Sequence, residues 1–494
     1  MAFSFFRIAA SAGAICSIAS ACQTPHIAHA IQPDQRFNDA RAQVSALVDD
    51  GELKSVAVGF IEDGRVIWSE AFGCADEESG ERASTTTPYG IASMGKAVTA
   101  AAAMTLVQAG KLDLDANVAD ILGPEAVKIR AGERAPTVRE LLNMTSGVPH
   151  GAVTYEGVEP VEENLVLANQ SFVAFPAGST FHYSNFSMAL MERVIEKVSG
   201  RTYDAYVADA VFKPLRMKDA LIGANAVGAV ARYRADGARF ASLTPYPRSS
   251  RQISASIDDL LKFAAMNLKT PVNDGVTPLS DKSIDIMQNE KSPLSGAHIA
   301  LGIANLDLGD GERMIASSGN DMGVQSSMFL LPERGVGAVV LSNSSGYQTD
   351  EIAVSMLDAA APGILEKFVG IATAFEERTT SFQPDGDWIG RWTGSIAGSG
   401  REIPVTIDIG DSGFTAAIDG TEAVMVDELS IRDGLVTGAF KGFLPLYEKP
   451  DGPHRIEINL IIEEDRLDGF MLANFRSTRG KFEIPAAVSL RRAD

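Results

Sequence analysis

The stretch from Ser55 to Gly73, SVAVGFIEDGRVIWSEAFG, limits the possible folds more than any other. Two apolar runs flank Asp63-Gly64, and Asp-Gly between such runs is a strong hairpin signal. A lone hairpin is marginal in water, so further strands must join it. The chain supplies them only far downstream, as RMIAS (313–317), VQSSMFLL (324–331) and VGAVVLS (336–342), with a turn at Pro332-Glu333-Arg334-Gly335. Helical patterns fill the interval. Ser93 to Gln108 is Ala-rich, apolar nearly all round and stopped by Gly110, which predicts a helix buried on most sides. Thr137-Val138-Arg139-Glu140 is a capping box opening a short helix that ends by Gly147. Phe186, Leu190, Met191, Val194, Ile195 and Val198 recur at helical spacing before Gly200, and Asp258 to Met266 and residues 349–359 are further helices. The expected fold is α/β (α+β): an antiparallel sheet assembled from both chain ends, flanked by helices, with an all-helical subdomain.

A chain of 494 residues exceeds one ordinary core, so a second unit is expected. Residues 366–386, which lead into FEERTTSFQPDGD, are expected to be a polar linker between a domain over 31–365 and a C-terminal domain over 387–494. Ile403, Val405, Ile407 and Ile409 alternate strictly, as do Phe482, Ile484, Ala486, Val488 and Leu490. Short alternating strands between Gly and Asp clusters predict an antiparallel β-barrel. Its start, Gly390-Arg391-Trp392, resembles the Gly-x-Trp opening of lipocalin-like barrels. A tryptophan filling the barrel floor is the simpler reading, because small barrels are usually filled by side chains.

Residues 1–30 are expected to be a signal peptide: Arg7, then a short Ala/Ser-rich apolar run, then Ala28-His29-Ala30 as a cleavage site. Ala19-Ser20-Ala21-Cys22 resembles a lipoprotein signal and makes Cys22 a candidate lipid anchor. A secreted protein, periplasmic or envelope-attached, follows. With Cys16 and Cys22 in the leader, Cys74 is expected to be a lone buried thiol with no disulfide. The balance of 43 Lys and Arg against 64 Asp and Glu gives a net charge of −21 with no basic stripe, which excludes nucleic acid as a partner. The partner implied is a small-molecule or peptide substrate. The sequence does not specify an oligomeric state.

YGIASMGKAVTA, residues 89–100, can be read two ways. Gly90, Gly95 and Lys96 fit a phosphate-binding G-x-x-x-x-G-K loop. That motif needs an apolar strand before it and Ser or Thr after the lysine. Here STTTPY precedes Gly90 and Ala97 follows Lys96, so two requirements fail. The alternative is a serine nucleophile, Ser93, with Lys96 one helical turn on and on the same face. At a helix start, unpaired N–H groups favour a developing negative charge. A free lysine titrates near 10.4 and is a poor base at neutral pH. Apolar burial, which the alanine flanks supply, lowers that value and lets the amine take the serine proton.

S-x-x-K is weak alone, but it stands in order with GKLDLDANVADIL, TVRELLNMTSGV, PAGSTFHYSNFSMALMERVIEKVSG, VFKPLRMKDA and ISASIDDLLKFA. Over roughly residues 40–360 the chain resembles the serine β-lactamase and penicillin-binding-protein-like hydrolases, in the class C β-lactamase, D-aminopeptidase and esterase branch. The resemblance implies a Y-x-N motif at Tyr183-Ser184-Asn185. Tyr183 would relay a proton as a phenolate, which needs a lowered pKa. Asn185 would hold Lys96 and a substrate carbonyl, or cap the helix that follows. It also implies a third motif at Ser317-Ser318-Gly319, followed by Asn320, whose N–H would join that of Ser93 as an oxyanion hole. Here the chain departs from the family, which carries Lys, His or occasionally Trp where this chain has Ser317. A serine gives only a neutral hydrogen bond to a substrate carboxylate, weaker than a charge-assisted one. That disfavours β-lactams and peptidoglycan termini, and leaves an ester, an amide or a D-amino-acid-containing peptide. The alternatives are a D-Ala-D-Ala carboxypeptidase or β-lactamase, and a non-catalytic receptor that keeps the pocket. In the D-aminopeptidase relatives, C-terminal barrels lie against the catalytic domain and shape the cleft.

His150 and His182 are candidates to line the cleft, although single histidines are more often structural. His298 and His454 have no company in the sequence. No metal-ligand spacing and no G-x-S-x-G elbow occur, so neither a metal nor another cofactor is expected.

Overall fold

The computed structural model describes residues 31–129, 132–158, 171–223, 229–270, 276–290, 299–384, 386–398, 401–410, 413–444, 452–463 and 465–493. Residues 1–30, with Cys16 and Cys22, and His298 lie outside them.

The Asp-Gly hairpin forms as β1 (Ser55–Glu62) and β2 (Arg65–Asp76), with Asp63 at φ 48° and Gly64 at φ 75° in the turn. The two-residue β3 (Glu81–Arg82) borders β2. Two mid-chain strands, β4 (Ala152–Glu156) and β5 (Leu243–Tyr246), pair with each other and belong to a different sheet. The downstream set is β6 (Ala304–Gly309), β7 (Glu312–Asp321), β8 (Val324–Leu331) and β9 (Val336–Ser342). The first sheet has the order β3-β2-β1-β9-β8-β7-β6, so β1 from one end of the region lies against β9 from the other.

The helices are α1 (Asn38–Asp49), α2 (Gly95–Gln108), α3 (Asn185–Ser199), α4 (Ile257–Asn267), α5 (Gln348–Ala360) and α6 (Ile364–Glu377). The alanine face of α2 is buried, so the helix runs through the core rather than along the surface. The capping box at Thr137 forms, with Thr137 and Glu140 each accepting from the other's backbone N–H, and its helix ends at Leu142. Gly200 closes α3 in the left-handed conformation. Ser184, rather than Asn185, caps the start of α3, accepting from the Ser187 N–H at 2.9 Å.

The segment read as linker from residue 366 is helical through Glu377. Its apolar positions Ile364, Phe368 and Ala372 recur every four residues and are buried, giving a stripe that the polar sequence after it had masked. Beyond it come β10 (Gly390–Gly398), β11 (Arg401–Gly410), β12 (Gly413–Ile418), β13 (Val424–Met425), β14 (Asp427–Arg432), β15 (Leu435–Gly442), β16 (His454–Glu463), β17 (Arg466–Ser477) and β18 (Gly480–Arg492). Each pairs with the next except β13 with β14, and β18 returns to pair with β10. The expected barrel is thus an antiparallel half-barrel sheet. Trp392 is fully buried in it; its Nε1–H donates to the Trp388 carbonyl at 2.9 Å, and Arg492 stacks over its ring at 4.6 Å.

This sheet does not end within the C-terminal region. β18 pairs with β4, from Gly480↔Tyr155 to Glu483↔Ala152, and β4 carries β5. Phe172, Ala174 and Phe175 pack on Leu435, Ile461, Phe470 and Leu472.

Cys74 is disulfide-bonded, against the expectation of a lone thiol. Ile31 pairs with Ser69, so the chain enters the structure alongside the strand that carries Cys74. No helix among the described residues is long and apolar enough to cross a membrane.

Candidate active site

Ser93 sits in a single 3-10 turn, Ala92–Met94, immediately ahead of α2 rather than inside it. Ala92 holds φ 45°, a region costly for a residue with a side chain, and so tilts the serine out of the helix line. One turn on, Lys96 is 3% exposed and points back at it. Its Nζ lies 3.0 Å from Ser93 Oγ and 2.5 Å from the Tyr183 hydroxyl, and Ser93 Oγ lies 2.7 Å from that hydroxyl. Tyr183 reaches this corner because Ser184, capping α3, also donates to the Pro149 carbonyl at 2.8 Å and pins the preceding residues. S-x-x-K and Y-x-N therefore meet in one hydrogen-bonded triangle.

Burial lowers the Lys96 amine well below its usual value, and the Arg251 cation adds to this against Asp321. Burial also pushes Tyr183 up to about 12, despite the hydrogen bond with Ser93 and the Arg251 charge. Both shifts favour the neutral forms, a free amine beside an intact phenol, over the expected phenolate. Two neutral groups avoid the cost of placing charges where water cannot reach. The amine lone pair can take a proton from Ser93 directly or through the phenol.

Asn185 lines the cleft and is 6% exposed, but among the described residues its Oδ1 has no partner, Lys96 included. The amide remains available to a ligand.

Alternation along β7 divides the third motif between two faces. Ser318, Gly319 and Asn320 line the cleft, whereas Ser317 is 1% exposed, is not one of the lining residues and leaves its Oγ without a partner among the described residues. Gly319 shares the inner face. A Cβ there would lie 2.2 Å from the Ile91 carbonyl oxygen and 2.8 Å from Ser93 N, so only glycine lets β7 lie against the nucleophile turn. The backbone of Asn320 is brought beside Ser93 in this way. The Asn320 side chain donates to the Gly346 carbonyl.

Two features had no signal in the sequence, and a third was suggested only by the family resemblance. Arg251 is buried and uses all five N–H donors: two on Asp321 at 2.9 and 2.7 Å, and one each on the Val153 carbonyl (2.9 Å), the Tyr246 carbonyl (3.0 Å) and Thr154 Oγ1 (2.7 Å). Burial would raise the Asp321 carboxyl, but Arg251, with Arg232 behind it, holds it below its usual value. The cation missing from position 317 is thus present nearby, committed to joining β4, β5 and β7. Asp350, in the first turn of α5, hydrogen-bonds Ser318 and Ser327, and burial pushes its carboxyl up to about 6. Lastly, the C-terminal sheet forms one wall of the cleft, whose volume is about 750 Å³. Leu435, Phe470 and Leu472 supply its apolar part, and Arg432, Lys481 and Glu483 its charged part.

Both histidine candidates line the cleft. The His150 ring stacks on Tyr183 at 5.7 Å, and its Nε2 lies 3.4 Å from Glu483. His182 packs edge-on against Phe175 and Phe470, and burial lowers its pKa to about 3, so it is neutral. His454 is remote, held among Phe443 and Phe475. Among the described residues no group of three or more His, Cys, Asp or Glu side chains could hold a metal ion.

Fold and site together define the β-lactamase and penicillin-binding-protein class of serine hydrolases. Residues 40–361 match the Beta-lactamase family, and the chain belongs to it. It is 24% identical over 330 residues to Protein flp of Staphylococcus aureus (strain MW2), covering 62% of this chain and 64% of that protein; the chain thus spans less than two thirds of that relative's length. The octameric penicillin-binding protein homologue from Pyrococcus abyssi superposes with a TM-score of 0.57 at 20% identity, over 90% of this chain and 99% of that one. SurE with D-Leu gives 0.56 at 18% identity, over 93% and 99%. These two likenesses concern the fold, and they extend through the C-terminal sheet.

Proposed function

We propose that this protein is a secreted serine hydrolase that works through an acyl-enzyme on an ester, an amide or a D-amino-acid-containing peptide. The observation that carries the reading is the triangle of Ser93, Lys96 and Tyr183, with all three sides at 3.0 Å or less. Ser93 attacks the carbonyl carbon while its proton passes to the Lys96 amine, with Tyr183 as relay. The N–H groups of Ser93 and Asn320 stabilise the oxyanion, and Tyr183 returns the proton to the leaving group. Water then attacks the acyl-enzyme by the same route in reverse. Asn185, with its free Oδ1, orients the substrate amide.

The rim supports a substrate without a carboxylate next to the scissile bond. Ser318 faces the Asp350 carboxyl rather than a cation, and every donor of Arg251 is already engaged. The apolar barrel wall suits a hydrophobic side chain, and a structural neighbour that holds D-Leu supports a D-residue there. Export rests on the leader reading of residues 1–30, in which the lipid site at Cys22 and the Cys74 disulfide compete for the same few cysteines; the mass of the mature amino terminus, with and without reduction, decides between them.

The test is a fluorophosphonate probe followed by intact-mass and peptide analysis. One adduct on Ser93 is expected, with none in Ser93→Ala and hydrolysis of p-nitrophenyl esters lost by about 10³-fold or more. An unmodified Ser93, with turnover absent on ester, amide and D-aminoacyl panels, would leave a receptor that keeps the pocket without the chemistry.

A further inference from the structure

The C-terminal sheet touches the catalytic corner at one charged point. The ladder between β18 and β4 sets Glu483 opposite Ala152, two residues after His150. Glu483 Oε2 lies 3.4 Å from His150 Nε2, and Lys481 Nζ holds Oε1 at 2.7 Å, so both carboxylate oxygens are engaged. Burial would raise this carboxyl, yet the hydrogen bond and charge of His150, with Lys481, hold it well below the usual range. The partner it steadies is no surface histidine. The His150 ring lies nearly parallel to that of Tyr183, at 5.7 Å and 30°, and the His150 backbone N–H donates to His182 Nε2 at 3.4 Å. The Lys96 amine lies 4.6 Å from the centroid of the Tyr183 ring.

We infer that Glu483, delivered by the C-terminal sheet, is a positioning residue for the Tyr183 phenol and acts through His150. The Tyr183 oxygen lies on the axis of the ring's own torsion, so what displaces it is a swing of the whole ring about the first side-chain torsion, which a neighbour packed on the ring face limits. Tyr183 must hold its oxygen 2.7 Å from Ser93 Oγ and 2.5 Å from Lys96 Nζ at once. The stacked imidazole restricts the ring from one face, and an imidazole anchored at Nε2 by a carboxylate keeps its own plane. A misplacement of about 1 Å at such a relay costs on the order of 100-fold in rate. The C-terminal sheet is thereby part of the proton path's scaffold as well as the cleft wall.

The inference rests on the proposed roles of Ser93 and Tyr183, and the experiment separates the two. The full-length protein and its Glu483→Gln, His150→Ala and double variants are titrated with the fluorophosphonate, giving a maximal rate of Ser93 modification and a half-saturating concentration. Glu483→Gln is expected to lower the maximal rate about 10-fold, and His150→Ala about 30-fold, with half-saturation within about twofold of the parent. The double variant should be no slower than His150→Ala alone, because the inferred action of Glu483 on Tyr183 passes through His150. Glu483→Asp, which keeps the charge, should recover part of the loss even if the glutamine variant unfolds, and thermal unfolding identifies that case. Multiplying losses in the double variant, an effect confined to half-saturation, or indifference of the rate to Glu483 would each overturn the inference. A parent unmodified at Ser93 would instead remove the nucleophile itself, and the inference with it.

Discussion

At the nucleophile corner, Ser93, Lys96 and Tyr183 satisfy one another and Lys96 is closed off from solvent. Across the cleft, β7 presents a different picture. Ser317 is buried with its oxygen unpaired, Ser318 meets a carboxyl, and the exposed Asn320 leans on a loop carbonyl. The first region resembles its family in residue type and in spacing, and the second departs at the position that usually carries a cation. The contrast teaches where reaction type and selectivity are stored. Proton transfer needs three groups at fixed short distances, so a change in one disables all. The facing strand contributes backbone donors whatever its side chains are, so those side chains can drift with the substrate.

The sharpest way to break that comparison is to drive the two regions apart. Gly319→Ala places a methyl against the Ile91 carbonyl and Ser93 N, so β7 must retreat from the nucleophile turn. Ester turnover should fall roughly 100-fold, with a loss of about 1–3 kcal/mol in stability from the overpacked contact. Wild-type turnover in this variant would mean that the strand takes no part in holding the oxyanion.

A second effect, moderate in size, belongs to the corner alone. The reaction needs the Lys96 lone pair, and burial lowers that amine well below the usual 10.5. The rate should therefore fall as pH drops through the lowered Lys96 value, when the amine gains a proton, and should be level across alkaline pH until Tyr183 ionises near about 12. A rate that climbs to a plateau only near an ordinary lysine value would show an unshifted amine. The sign for stability runs the same way. The unfolded chain binds the Lys96 proton more readily than the folded one, so its contribution to stability grows as pH rises through the folded value.

The smallest effect belongs to the facing edge. Above a pH of about 6 Asp350 is ionised and repels a substrate carboxylate near Ser318. Asp350→Asn should raise kcat/KM for benzylpenicillin roughly threefold relative to an uncharged p-nitrophenyl ester at neutral pH, with the gain fading in acid and in high salt. Equal changes for both substrates would place the carboxyl away from the acyl subsite.

The corner was legible because its signals are local. Ser93 and Lys96 are three residues apart, Tyr183 immediately precedes a helix with clear periodicity, and Asp63-Gly64 states its own turn. What could not be read depends on residues distant in sequence. Arg251 finds Asp321 and Val153 through contacts that no spacing rule links. The side of β7 that Ser317 faces depends on how the strand is seated, not on its composition. The helix over residues 364–377 was hidden by the polar stretch after it, and the cysteine assignment failed by placing every possible partner in the leader. The cleft wall was visible only as alternation: residues of β11 and β18 announced a barrel, while those that line the cleft, Leu435, Phe470 and Glu483 among them, carried no signal of that role.

The ladder from Gly480 to Glu483 against β4 has a mechanical consequence. Two units joined by backbone pairing cannot swing apart as a hinged door would, because opening would break interstrand bonds in the middle of a continuous sheet. The aperture above Ser93 is accordingly fixed in width, and molecules that enter must already fit between the walls or adapt their own shape to do so. Such a gauge selects by thickness before any polar group is consulted.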